Sequence, residues 1–259
     1  MKKLITWWIL LTLWIVCIQA KEPGYTTVQD TLHHGKMQTD GAFPVTGIFS
    51  YPLFSQDAPS AEAPIGKLNL ITQKLLFSPG MQADEAADLR TWFANLTDDY
   101  DQVKSDFPDY TTHWMVQRVI TLEYAAPPLF TFSMADYWFT GGAHGNSIKL
   151  YFHYDIQQDS IIDIDQLFLP GGLDTVTTLA EPVFRRQKAI PHQKSLEDAG
   201  FWFKDNTFHL SNSKGLTTEG LVLYYNPYEV ACYAEGAIIV VLDWATITPY
   251  IRPHYRPSK

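Results

Sequence analysis

The chain is short of cysteine and of positive charge, and it lacks every common hydrolase signature. Two cysteines in 259 residues, Cys17 and Cys232, are too far apart in setting and too few to organise a disulfide framework. No Cys-x-x-Cys, Gly-x-Ser-x-Gly or His-Glu-x-x-His occurs, which removes the usual redox, α/β-hydrolase and zinc-protease readings. Nineteen Lys and Arg face 28 Asp and Glu, a formal charge of −9, which disfavours nucleic acid and favours a basic partner. There is no internal repeat and no low-complexity segment. What is plentiful is aromatic: 14% Phe, Trp and Tyr within 46% hydrophobic residues describes an ordered globular protein with surfaces suited to binding.

Met1-Lys-Lys followed by the apolar run Leu4 to Ile18 has the form of a signal peptide, with Ile18-Gln19-Ala20 as the cleavage site. Residues 1–20 are therefore expected to leave on export to the periplasm or cell surface of a bacterium. An uncleaved N-terminal anchor is the main alternative, suggested by the bulky Trp7, Trp8 and Trp14. Lipidation at Cys17 is a third, weakened by Val16, because such a site wants a small preceding residue. The chain would meet a membrane only in these last two cases. Cleavage removes Lys2 and Lys3 and takes the formal charge from −9 to −11. Cys232 is then the sole cysteine, and its neighbours Val230, Ala231 and Tyr233 predict a buried, inert thiol.

Hydrophobic periodicity gives the elements. Residues 21–45 form a polar lead-in with at most one strand, and His33-His34 reads as solvated rather than metal-binding, since adjacent side chains on an extended segment point oppositely. A strand spans Val45 to Phe54, a helix Ile65 to Phe77, and a longer helix Ala83 to Phe107 with Trp92, Phe93, Leu96 and Tyr100 on its apolar stripe. Alternating runs predict strands over Trp114–Tyr124, Leu129–Thr140 and Ile148–Asp155. A further helix carries Leu173 to Phe184, kinked or divided by Pro182, with Arg185, Arg186 and Lys188 complementing its C-terminus. A meander follows: strands Thr207–Ser211, Gly220–Tyr225 and Ala237–Trp244, with Asn212–Gly215 as a turn. Ala237–Leu242 lacks alternation and is expected to be buried on both faces. Thr248–Lys259, with Pro249, Pro253 and Pro257, is expected to fray. The fold class is α+β: two small domains, residues 21–140 and 141–248, each an antiparallel sheet packed with helices, and a flexible tail over 249–259.

The densest glycine cluster is Tyr137-Trp-Phe-Thr-Gly-Gly-Ala-His-Gly-Asn146. It lacks the Gly-Lys-Ser/Thr ending of a phosphate loop and leads into a strand, so no helix N-terminus faces an anion. Its glycines point to positive φ or a bulge, and His144 at its tip is a candidate acid/base or a histidine bonded to its own turn. Asp155, Asp159, Asp163 and Asp165 lack the spacing, central glycine and closing glutamate of an EF-hand, and no metal or cofactor is expected.

The Tyr137-x-x-Thr-Gly-Gly-Ala-His-Gly145 stretch, the aromatic strand ending in Asp155, Asp165-x-Leu-Phe168 and Asn226-Pro-Tyr-Glu-x-x-x-Tyr-Ala-x-Gly236 occur together, in this order. In this the chain resembles the paired domains of unknown function in the extracellular part of RsiV-type, lysozyme-sensing anti-sigma factors, and a domain that accompanies PdaC-type peptidoglycan deacetylases. The resemblance covers roughly Val45 to Ile247. It implies a PdaC-like accessory domain followed by an RsiV-like domain, and a non-catalytic binding or sensor-like role. The ligand would be a lysozyme-like basic protein or peptidoglycan. Only Met1-Lys-Lys precedes the apolar run, so no anti-sigma role is expected, and no metal-binding deacetylase domain fits in the chain. The binding candidates are Gly141, Gly142, His144, Gly145, Asn226, Tyr228, Glu229 and Tyr233. The alternative is an envelope hydrolase using His144 with Asp155 or Glu229.

Overall fold

The computed structural model describes residues 24–55, 65–78 and 88–257. The expected signal segment, Cys17 and the start of the Ala83 helix lie outside the described residues. None of the described helices is long and apolar enough to cross a membrane.

Six strands form the larger sheet in sequence order: β1 (Tyr25–His34), β2 (Val45–Phe54), β3 (Trp114–Ala126), β4 (Leu129–Phe139), β5 (Asn146–Asp155) and β6 (Ser160–Ile162). Neighbours are antiparallel except β2 and β3. That one parallel step needs a long crossover, supplied by α1 (Ile65–Leu76) and α2 (Leu89–Asp106). Both helices lay their apolar stripes on one face of the sheet. Leu68, Ile71, Leu75, Trp92, Phe93 and Leu96 pack there against Val116, Ile120, Phe130 and Phe132. Gly47 is needed in this core, because a Cβ there would stand 2.8 Å from the Phe93 ring. Asp88 caps α2, accepting from the Thr91 N–H at 2.8 Å.

The smaller sheet holds β7 (Ser213–Thr217), β8 (Gly220–Tyr225) and β9 (Ile238–Asp243). Its second core gathers Leu216, Leu223, Tyr225 and Val240 with Val176, Ala180 and Phe184 of α3 (Gly172–Gln187). The short α4 (Trp244–Ile247) follows β9. Mixed helices and antiparallel hairpins make the molecule α+β, as the patterning implies. The Thr140/Gly141 position, where the sequence suggests a domain boundary, falls inside a hairpin whose arms pair from Leu129↔Asp155 to Trp138↔Asn146, so the large sheet runs unbroken across it.

Several local expectations need correction. The one strand the lead-in allows is the ten-residue β1, and it takes in His33 and His34, which read as a solvated loop. Their rings do point apart, one stacking on Phe43 and the other meeting Asp101 at 2.8 Å. Thr207–Ser211 is not a strand, and Asn212–Gly215, expected as a turn, supplies the start of β7 from Ser213 instead. Gly215 lies so close to β5 that a Cβ would stand 2.4 Å from the Tyr151 ring, so tertiary packing and not strand propensity places this segment. β9 alternates after all: Ile238, Val240 and Leu242 are buried, while Ile239 is 45% and Val241 36% exposed, because only one face of the small sheet meets α3. α3 runs through Pro182 undivided. The tail expected to fray is packed: Ile251 bridges to Phe168, Tyr255 is buried, and its hydroxyl donates to Asp155 at 2.8 Å.

Candidate functional site

The glycine turn connects β4 to β5. Gly141 and Gly142 adopt φ of +105° and +97°, a region closed to most side chains. Gly145 is required for a different reason, since a Cβ there would stand 2.3 Å from the Tyr137 hydroxyl. The first and last residues of the motif are thus packing partners, and the glycine seats the tyrosine ring.

At the tip of the turn His144 is exposed. Its Nδ1 lies 2.8 Å from the Gly145 carbonyl, a contact that requires the proton on Nδ1. The ring stacks on Tyr233 with centroids 3.9 Å apart and planes at 12°. The Tyr233 hydroxyl donates to the same Gly145 carbonyl at 2.9 Å. Tyr228 extends the stack, its ring 5.5 Å from that of Tyr233. Among the described residues no carboxylate pairs with His144.

Asn226 and Glu229 of the Asn226–Gly236 loop are committed to backbone. The Asn226 side chain accepts from the Lys149 N–H at 2.7 Å and donates to the Lys149 carbonyl at 3.0 Å, so it stands in for a neighbouring strand beside β5. Glu229 accepts from the Asn212 N–H at 2.7 Å and the Asn226 N–H at 2.9 Å, fastening the loop to β7. Asp155, the other carboxylate considered for a hydrolase, is similarly occupied by Gln157, Gln158 and the Tyr255 hydroxyl. Burial pushes its carboxyl up, but the hydrogen bonds from Gln158 and Tyr255 outweigh it and hold the group below the usual carboxylate range.

All eight candidates therefore belong to one structural unit, in which the glycine turn and the Asn226–Gly236 loop meet through Tyr233. Gly141, Gly142, Gly145, Asn226 and Glu229 shape it. His144, Tyr233 and Tyr228 form its surface. Tyr228 adopts φ +68° and is 54% exposed, an unusual place for a bulky side chain that packs against so little. Sequence reasoning missed Trp202, 54% exposed beside this loop, with its backbone N–H donating to the Val230 carbonyl at 2.8 Å. The signal was the Phe201-Trp-Phe203 alternation, which buries the two phenylalanines and turns the tryptophan outward. Cys232, expected to be buried, is exposed, because the loop turns Val230 and Ala231 inward and the thiol out.

Residues 165–245 match the family described as "Protein of unknown function (DUF3298)". The chain is 23% identical over 122 residues to the peptidoglycan-N-acetylmuramic acid deacetylase PdaC of Bacillus subtilis, a match that spans 46% of this chain and 26% of that enzyme. The fold resembles that of a DUF3298 family protein from Pseudomonas aeruginosa, with a TM-score of 0.66, 15% identity and coverage of 92% of this chain and 99% of the other. It also resembles a DUF3298 family member from Bacteroides fragilis, with a TM-score of 0.63, 18% identity and coverage of 91% and 95%.

Proposed function

We propose that the protein is an exported, non-catalytic binding module of the bacterial cell envelope, at the periplasm or cell surface, and that its ligand docks on the His144–Tyr233–Tyr228 surface. The observation that carries this reading is Tyr228, an exposed ring held at positive φ on a loop whose carboxylate and amide are spent on fixing the loop itself. Such strain is retained where the side chain does something other than pack. A hydrolase built on His144 has less support: the ring is committed to a carbonyl and a stack, and Glu229 and Asp155 are held by other donors.

The charge of −9 favours a basic protein ligand of lysozyme type, drawn in by long-range attraction that salt screens. Peptidoglycan is the second reading, favoured by the similarity to a peptidoglycan deacetylase. The test is retention of lysozyme and of purified peptidoglycan by the immobilised protein, at low and at high salt. Retention of lysozyme that falls with salt and is lost in Tyr228→Ala supports the first reading. Salt-insensitive retention of peptidoglycan alone selects the second, and retention of neither sinks both.

A further inference from the structure

The large sheet has a second face, away from α1 and α2, and the small sheet covers only part of it. In register across the uncovered part stand Ile48, Gln117, Tyr137 and Ser147, one from each of β2 to β5. Met115 with Phe139 lies on one side of this row, and Val119 with Ala135 and Lys149 on the other. Two concavities of about 320 Å³ and about 210 Å³ lie over this face and share Tyr137 as their common wall. Phe43 closes one end, stacked on His33, and Tyr224 of β8 closes the other. Met115 is 41% and Tyr137 38% exposed, so aromatic and apolar surface is left in solvent here although a core was available to either side.

The charges bordering the groove are spoken for. Lys149 meets Glu123 at 2.9 Å, Asp136 turns to the other face and pairs with Arg118, and His113 contacts Gln38 at 3.1 Å and Asp40 at 3.6 Å. What faces the open space is an aromatic ring, an exposed primary amide and an exposed hydroxyl: Tyr137, with Gln117 and Ser147 as its direct cross-strand neighbours. A ligand complementary to this set is uncharged. It needs an apolar face to lie on a ring and an edge that both donates and accepts hydrogen bonds to the amide and hydroxyl. A pyranose has both, and an acetamido substituent adds a methyl group that suits Val119 and Ala135. The combined space is that of a small-ligand site.

We propose that this groove binds an uncharged glycan of N-acetylated amino sugars, with Tyr137 as the stacking platform and Gln117 and Ser147 as its hydrogen-bonding partners. The glycine motif then acquires a second role, since Gly145 leaves the room that fixes the Tyr137 ring. The source of such sugars rests on the envelope-binding reading above, but the groove does not depend on the Tyr228 surface.

The experiment is a titration of the full-length protein with triacetylchitotriose, with maltotriose as the comparison sugar, followed by calorimetry. The expected result is saturable binding of triacetylchitotriose that Tyr137→Ala and Gln117→Ala each weaken about tenfold or more and that maltotriose does not reproduce. Gln117 is exposed, so its variant keeps the test valid should Tyr137→Ala fail to fold, and Tyr137→Leu then replaces it. Absence of saturation, or affinity indifferent to either substitution, overturns the proposal. Equal binding of maltotriose overturns the assignment to N-acetylated sugars. Lysozyme retention kept by Gln117→Ala while its chitotriose binding falls separates the two surfaces.

Discussion

Tyr228 poses the sharpest question at the level of single residues. An L-residue in the left-handed region costs about 1–2 kcal/mol, and here the ring is more than half exposed, so little packing offsets that cost. Tyr228→Gly should therefore leave stability unchanged or raise it by up to about 1 kcal/mol, while retention of the ligand falls. Thermal unfolding beside a retention assay checks both halves, and a marked loss of stability would show that the ring is structural. Gly145→Ala tests the neighbouring contact in the opposite sense. Its new Cβ meets the Tyr137 ring, so it should cost about 1–3 kcal/mol and displace the ring, visible as a lowered urea midpoint and altered tyrosine environment. The sequence motifs located the residues of this unit because turns and loops advertise themselves in Gly, Asn and Pro. They did not separate scaffold from surface. Asn226 and Glu229 look like binding groups until their backbone partners, 77 and 17 positions away in the chain, are known.

Among the elements, the junction of α1 with the sheet shows how a polar residue comes to lie in an apolar stripe. Arg118 shares its strand face with Val116 and Ile120, and it is 2% exposed. Its Nε and Nη2 donate to the two oxygens of Asp136, its cross-strand neighbour, at 2.7 and 2.6 Å. Its Nη1 donates to the carbonyls of Leu76 at 2.9 Å and Ser78 at 2.8 Å, satisfying the end of α1. One guanidinium thus joins β3, β4 and α1. Removing one partner of a buried pair leaves an uncompensated charge, so Asp136→Ala should cost about 3–5 kcal/mol in a urea titration. A cost below about 1 kcal/mol would mean that the carbonyls alone support the arginine. The helices, β2 and β3 were legible because each has one face in a core and one towards solvent, which periodicity reports directly, and β4, buried on both faces from Leu129 to Met134, through its aromatic residues. β7, the exposed alternation of β9 and the packed tail were not. Their states depend on Tyr151, α3 and Phe168, which lie far off in sequence and leave no local pattern.

For the molecule as a whole, the contact between the two sheets sets how it responds to acid. His153 of β5 is 3% exposed and faces β7, where its Nε2 accepts the Leu216 N–H at 3.4 Å, a role only the unprotonated nitrogen can fill. Burial pushes its pKa down to about 3, and the nearby Lys214 ammonium pushes in the same direction. The unfolded chain, with a histidine pKa near 6.5, binds this proton first as pH falls. The contribution of His153 to stability is therefore complete above about pH 6.5 and is lost progressively down to about pH 3. At 1.36 kcal/mol per unit, the loss between pH 6.5 and pH 4 is about 3 kcal/mol. Asp155, held low by its hydrogen bonds, acts in the same direction but only below about pH 3.9, so the two contributions separate on the pH axis. Urea midpoints measured from pH 8 to pH 3 should be flat with respect to these groups above pH 7 and decline below it. His153→Gln keeps a neutral polar side chain between the sheets and should flatten the decline between pH 6.5 and pH 4, leaving the fall below pH 4 in place. If the variant declines as steeply as the parent, the acid sensitivity lies elsewhere.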